Sequence, residues 1–214
     1  MRIAITFCVF AGCADVPQPF ELDHARVMAV RIEPPALAAG EVARVDVLVT
    51  DGDAGPRIAP PDEVTIAPLP GVDIGRDTDG WYVVAPAVAA NTVAALAISV
   101  RSIDGEQAVQ KTLAFGARAE NPRAPSILLD GLLMGASVEI GGSTERVLST
   151  DLPAADEAAA ELSYRWFSSI GELVGYTRAS ATLEPASGDG HIAVVVRDQA
   201  GGTAWTLVTA TVTP

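Results

Sequence analysis

The side chains best suited to nucleophilic, acid–base or metal chemistry are scarce here. The chain has two histidines, His24 and His191, and two cysteines, Cys8 and Cys13, in 214 residues. Catalysis by serine, cysteine or metal needs histidine, thiolate or carboxylate groups gathered around one reacting atom. No His-Glu-x-x-His, Gly-x-Ser-x-Gly, phosphate-loop or Gly-x-Gly-x-x-Gly arrangement occurs. His191 opens an alternating stretch on its outward side, where a solvated imidazole is expected. A glycosidase pair of carboxylates leaves no local signature, because its members need not be neighbours. With aromatic residues at 5%, however, few rings are left for a sugar to stack on. The expectation is a protein that is not an enzyme. Acids number 27 against 14 Lys and Arg, giving a net charge of −13. Lys111 is the single lysine. Binding to a phosphate backbone needs clustered cations, so nucleic acid is not an expected partner.

The elements that position these residues begin with a short segment unlike the rest. Arg2 is a positive start, Ile3 to Phe10 an apolar run, and Phe10-Ala11-Gly12-Cys13 ends in small residues before a cysteine. This resembles the export signal and lipobox of bacterial lipoproteins, although Phe10 stands where leucine is usual. The resemblance implies that residues 1–12 are removed and that Cys13 is lipidated. It further implies a bacterial cell-envelope protein, held by its N-terminal lipid to the outer membrane because the residue after the cysteine, Ala14, is not acidic. Cys8 is no rival, since Phe7 precedes it. Residues 13–24, with Pro17 and Pro19, cannot continue a strand and are expected to be a flexible tether. With Cys8 removed and Cys13 acylated, no disulfide or thiolate metal site remains. The loss of Arg2 takes the charge from −13 to −14.

From Ala25 the pattern has period two. Met28, Val30 and Ile32 alternate with Ala29, Arg31 and Glu33 until Pro34-Pro35. Val45, Val47 and Val49 then alternate with Arg44, Asp46 and Thr50. Asp79-Gly80 and Asp104-Gly105 are hairpin turn signals. Short strands at this spacing indicate a sandwich or barrel over residues 25–118. Residues 119–126 lack periodicity and carry Pro122 and Pro125, so they read as a semi-rigid linker to a second unit, 127–214.

In that second unit Leu162, Tyr164 and Trp166 alternate with Ser163, Arg165 and Ser168, and Ile192, Val194 and Val196 follow the same rule. The Tyr-x-Trp strand, Gly171-Glu-Leu173 and Val194-Val-Val-Arg-Asp-Gln-Ala-Gly-Gly202 before a Thr-rich strand resemble immunoglobulin-like and PKD-like modules of bacterial envelope proteins. The resemblance implies an all-β protein of two tandem immunoglobulin-like β-sandwiches. It also implies that Trp166, with Tyr164, fills the space between the sheets of the second. Asp156 to Leu162 suits one helical turn in a loop.

If Arg146 to Thr150 is the second strand and Leu162 to Ser168 the third, loops 151–161 and 198–202 share one end with the linker. Arg118 and Arg123 would then pair with carboxylates there, or Asp151, Asp156 and Asp198 would hold calcium. Otherwise no cofactor is expected. The functional readings are a non-catalytic structural, adhesive or assembly lipoprotein whose partner is another envelope protein or a surface polymer, then a calcium-dependent or carbohydrate-binding module.

Overall fold

The computed structural model describes residues 18–87, 91–154, 157 and 160–214. Cys13 and Asp156 lie outside the described residues. Among those described, no helix is long and apolar enough to cross a membrane.

Residues 25–115 form two sheets. One runs β1 (Ala25–Glu33), β3 (Val42–Asp51), β7 (Gly80–Val84), β6 (Asp73–Asp77), with β4 (Pro56–Ile58) beside β3. The other runs β2 (Ala36–Leu37), β9 (Gly105–Phe115), β8 (Thr92–Ser102), β5 (Val64–Ile66). Residues 127–213 repeat the pattern. One sheet runs β11 (Leu132–Leu133), β10 (Ile127–Leu129), β13 (Arg146–Thr150), β16 (Ser180–Pro185), β15 (Gly171–Val174). Its partner runs β12 (Ser137–Gly141), β18 (Thr203–Thr213), β17 (Gly188–Arg197), β14 (Ser163–Ser168).

Lettered as in immunoglobulins, strands A to G are β1, β3, β5, β6, β7, β8 and β9 in the first unit. In the second they are β10, β13, β14, β15, β16, β17 and β18. Each unit places A, B, E and D in one sheet and G, F and C in the other, the constant-type arrangement. In each, a short strand after A, β2 or β12, pairs parallel to G. The fold is therefore all-β and immunoglobulin-like, with one topology used twice.

Alternation builds each core. In the first, Val45, Val47 and Val49 of β3 meet Leu96, Ile98 and Val100 of β8. In the second, Trp166, Val194, Val196 and Leu148 pack between the sheets. Both Asp-Gly turns close one residue earlier than the sequence suggests. The strands pair at Asp77 with Gly80 and at Ser102 with Gly105, so each glycine begins the returning strand at φ 122° and 115°, values that glycine adopts at no steric cost. The helical turn begins two residues earlier than expected, at Ala154, with the Glu157 N–H donating to the Pro153 carbonyl at 3.0 Å.

Two expectations are corrected. Met28 does not share a face with Val30 and Ile32. A bulge between Val27 and Ala29 leaves Met28 without a ladder partner, and an extra residue re-aims the side chains on either side of it. Met28 thus joins Ala29 on the outer face while Val30 and Ile32 face the core. Second, residues 18–24 are packed rather than free. Phe20 is buried beside Tyr176, with ring centroids 5.5 Å apart, Leu22 is 1% exposed, and Glu21 bridges in parallel to Ser168.

Candidate functional site

The most unusual feature of the molecule lies where the two sandwiches meet. The outer face of β1 and β3 presents Met28, Ala29 and Leu48, and the outer face of β14, β17 and β18 presents Phe167, Ala193, Val195 and Trp205. Leu22 from the N-terminal segment completes this cluster. Over this patch each sheet therefore buries apolar side chains on both of its sides, as strands covered on two faces do. Leu48, Ala193 and Val195 are each 0% exposed. Thr50 is also fully buried at this junction, and its hydroxyl donates to the Leu22 carbonyl at 3.2 Å.

Cations of the first unit lie over rings of the second. The Arg26 guanidinium sits 4.9 Å from the Phe167 ring centre and that of Arg31 sits 4.6 Å from Trp205. Such contacts contribute about 0.5–1 kcal/mol each at exposed sites and more when desolvated. Arg31 is oriented by Asp46 at 2.6 Å. In the reverse direction, Arg197 donates to the Met28 carbonyl at 3.0 Å. Lys111 reaches from β9 to the Gly201 carbonyl at 2.6 Å and the Thr203 hydroxyl at 2.8 Å. Burial, aided by the charge of Arg197, pulls the Lys111 amine down to about 8.

The linker takes part in the same junction. The Asn121 side chain donates to the Ile32 carbonyl at 2.8 Å and accepts from the Thr203 N–H at 2.7 Å, joining β1 to β18. The Thr206 hydroxyl donates to the Pro125 carbonyl.

A cleft of about 820 Å³ opens beside the docked N-terminal segment, between Gly52 and the ends of β14, β17 and β18. Its charged lining consists of Glu21, Asp23, Glu172 and Asp189, with His191 among them and neither Lys nor Arg. His191 is not the solvated imidazole expected from its position. Its ring lies against Gly55, where an added Cβ would stand 2.3 Å from Cε1. This burial lowers the imidazole pKa.

The residues singled out in the sequence are placed as follows. Trp166 is 0% exposed, and its indole N–H donates to the Arg178 carbonyl at 2.9 Å. Tyr164 is buried, and burial together with its 2.5 Å bond to Glu157 holds the phenol well above its usual range. Asp151 accepts from the Ser126 N–H at 2.7 Å, the Ser126 hydroxyl at 3.0 Å and Arg123 at 3.0 Å. Partial burial works to raise that carboxyl, and these donors outweigh it, so the net shift is downward. Asp198 accepts the Gly202 N–H at 2.7 Å, Glu157 accepts Tyr164 and Glu161 accepts Gln199. Arg118 pairs with Glu41 at 3.3 Å. Each described carboxylate of the supposed calcium site thus has a protein donor, and among the described residues no group of three or more His, Cys, Asp or Glu could hold a metal ion. Sequence reasoning missed the junction. Its signal was the unbroken run Ile192 to Val196 and the adjacent Trp166-Phe167, which alternation on one face does not explain.

No protein-family model and no curated protein matches this chain. Solved structures with some likeness include a nucleoside hydrolase-related hypothetical protein from Saccharophagus degradans, 19% identical at a TM-score of 0.33 over 44% of this chain. The chain spans only 26% of that protein's length. A chimeric titin Z1Z2 is 12% identical at 0.27, covering 90% of this chain and 98% of its own. The fibronectin(III)-like modules of Clostridium thermocellum CbhA are 14% identical at 0.31, covering 86% and 94%. The class rests on strand order: a tandem pair of immunoglobulin-like β-sandwiches, a fold compatible with a structural or binding module.

Proposed function

We propose that this chain is a non-catalytic, lipid-anchored protein of the bacterial cell envelope, serving as a structural, adhesive or assembly subunit on the outer membrane. The observation that carries the reading is the docking of residues 18–24 onto the second sandwich at a junction that already joins the two units. Four residues lie between Cys13 and Gln18, and the five steps from one to the other reach at most about 18 Å when fully extended. A lipid on Cys13 therefore holds a stiff two-unit body close to the bilayer, with a defined end facing it. That suits a spacer or an assembly part better than a freely swinging domain.

Cys13→Ser tests the anchor. The unaltered chain is expected in the detergent phase of a membrane extract and the variant as an unprocessed or soluble product. A variant that partitions unchanged would remove the anchor from the account. A second reading, a module that binds a surface polymer, is supported by the cleft beside His191. It predicts glycan-array binding that Asp189→Asn weakens, and an array with no bound glycan would end it.

A further inference from the structure

Residues 18–24 form no strand of either sandwich, their one ladder contact being the parallel bridge from Glu21 to Ser168. They nevertheless touch both units. On the second, Phe20 enters the core cluster that holds Trp166, and its carbonyl accepts the Ser168 N–H at 3.0 Å. On the first, the Leu22 carbonyl accepts the Thr50 hydroxyl at 3.2 Å, and Arg26 donates to the Pro19 carbonyl at 3.0 Å and to that of Glu21. The chain then passes so close to Gly52 that an added Cβ there would stand 2.9 Å from the Asp23 carbonyl oxygen.

The joint between the units has two unlike ends. Where β1 finishes and β18 begins, the linker closes it through Asn121, which is bonded to Ile32, Glu33 and Thr203. Lys111 and Arg197 cross the boundary directly on that side, to Gly201, Thr203 and Met28. At the other end, where β1 begins, the direct contacts are the Phe167 ring under Arg26 and the His191 ring on Gly55. Among the described residues, the hydrogen bonds that connect the units at this end run by way of residues 18–24. One end is tied covalently, and the other is held by a short segment.

We propose that residues 18–24 are a latch on this joint: seated, they hold it shut at the end remote from the linker, and withdrawn, they let the units open about the linker. Withdrawal takes Leu22 out of the apolar cluster and removes the acceptors of Arg26 and of the fully buried Thr50 hydroxyl together. Buried donors left unpaired are costly, and water enters the joint from this end to satisfy them. The strand that follows the latch is far better held, since β1 pairs with β3 at eight positions. A pull on the N-terminus therefore withdraws the latch before it disturbs a sheet. A lipid on Cys13 would set the anchor in line with it. That last consequence rests on the anchor reading above, and the latch itself does not.

The full chain carrying Cys8→Ser and Cys13→Ser has neither native thiol nor lipid, so failure of the latch and failure of the anchor are distinguishable in it. Spin labels at Ala54→Cys and Asp189→Cys report the latch end, and labels at Glu33→Cys and Ala200→Cys the linker end; all four positions are exposed. Deletion of residues 1–24 should lengthen the first distance by more than about 2 Å, beyond what side-chain adjustment gives, and leave the second unchanged. Leu22 belongs to neither sandwich's own core, so Leu22→Ser decides the matter where the shortened chain loses its far-UV strand signal, and should shift the first distance the same way. A first distance unchanged by the deletion, or by Leu22→Ser where the shortened chain does not fold, would overturn the proposal. So would a second distance that lengthens as much as the first.

Discussion

Trp166 is the side chain on which the second core depends most. It is fully enclosed, and removing its ring also leaves the Arg178 carbonyl without its donor. Trp166→Ala should cost about 3–5 kcal/mol, a large part of the stability of an ordinary domain. Urea unfolding measures it, and a loss under about 1 kcal/mol would mean that the site is not closed. His191 supplies a pH effect with a definite sign. Burial lowers its folded pKa below the unfolded value of about 6.5. The unfolded chain therefore takes up the proton first, and stability is lost as pH falls from about 6.5 through the folded value. The lowered carboxyls Asp77, Asp130 and Asp151 act only below about pH 4. Urea unfolding between about pH 7.5 and 5 should show this decline, and His191→Gln should flatten it. An equal slope in both proteins would assign the decline to another group. At this scale the sequence was informative where a residue obeys simple alternation, as Tyr164 and Trp166 do. It misplaced Met28, because a bulge is an inserted residue that alternation cannot register, and Phe20, which it left in a tether because the neighbouring Tyr176 is remote in the chain.

At the scale of elements, β17 explains why two small sandwiches join so closely. From Ile192 to Val196 it is apolar on both faces, and it could not leave Ala193 and Val195, beside Phe167 and Trp205, in water without exposing a contiguous patch. The inner-facing pattern and the hairpins were readable from period two and from Gly and Pro. The second buried face was not, because nothing in the local pattern says that what covers it comes from the other unit. The repeat of one sandwich type was expected through the resemblance alone and not from pattern, since Val64–Ile66 is three residues long while its counterpart Ser163–Ser168 is six and carries the tryptophan. Ala193 lies at the centre of the junction, on the face opposite the second core. Ala193→Glu should therefore part the two units while each keeps its own sheets, because an unpaired buried charge is costly only where it is buried. Small-angle scattering would then show a longer particle with an unchanged far-UV spectrum. An unchanged particle length would mean that the junction is not what holds the units.

At the scale of the whole molecule, two like units are tied by an apolar cluster, by Arg26 and Arg31 over rings, and by Lys111, Asn121 and Arg197 bonded across the boundary. The described residues contain no cysteine, so their stability comes from packing, and the junction adds to what each small core supplies. Scanning calorimetry of the unaltered chain tests this most directly. The account predicts one transition, with calorimetric and van't Hoff enthalpies equal, and its division into two in Ala193→Glu. Two separate transitions in the unaltered chain would contradict it.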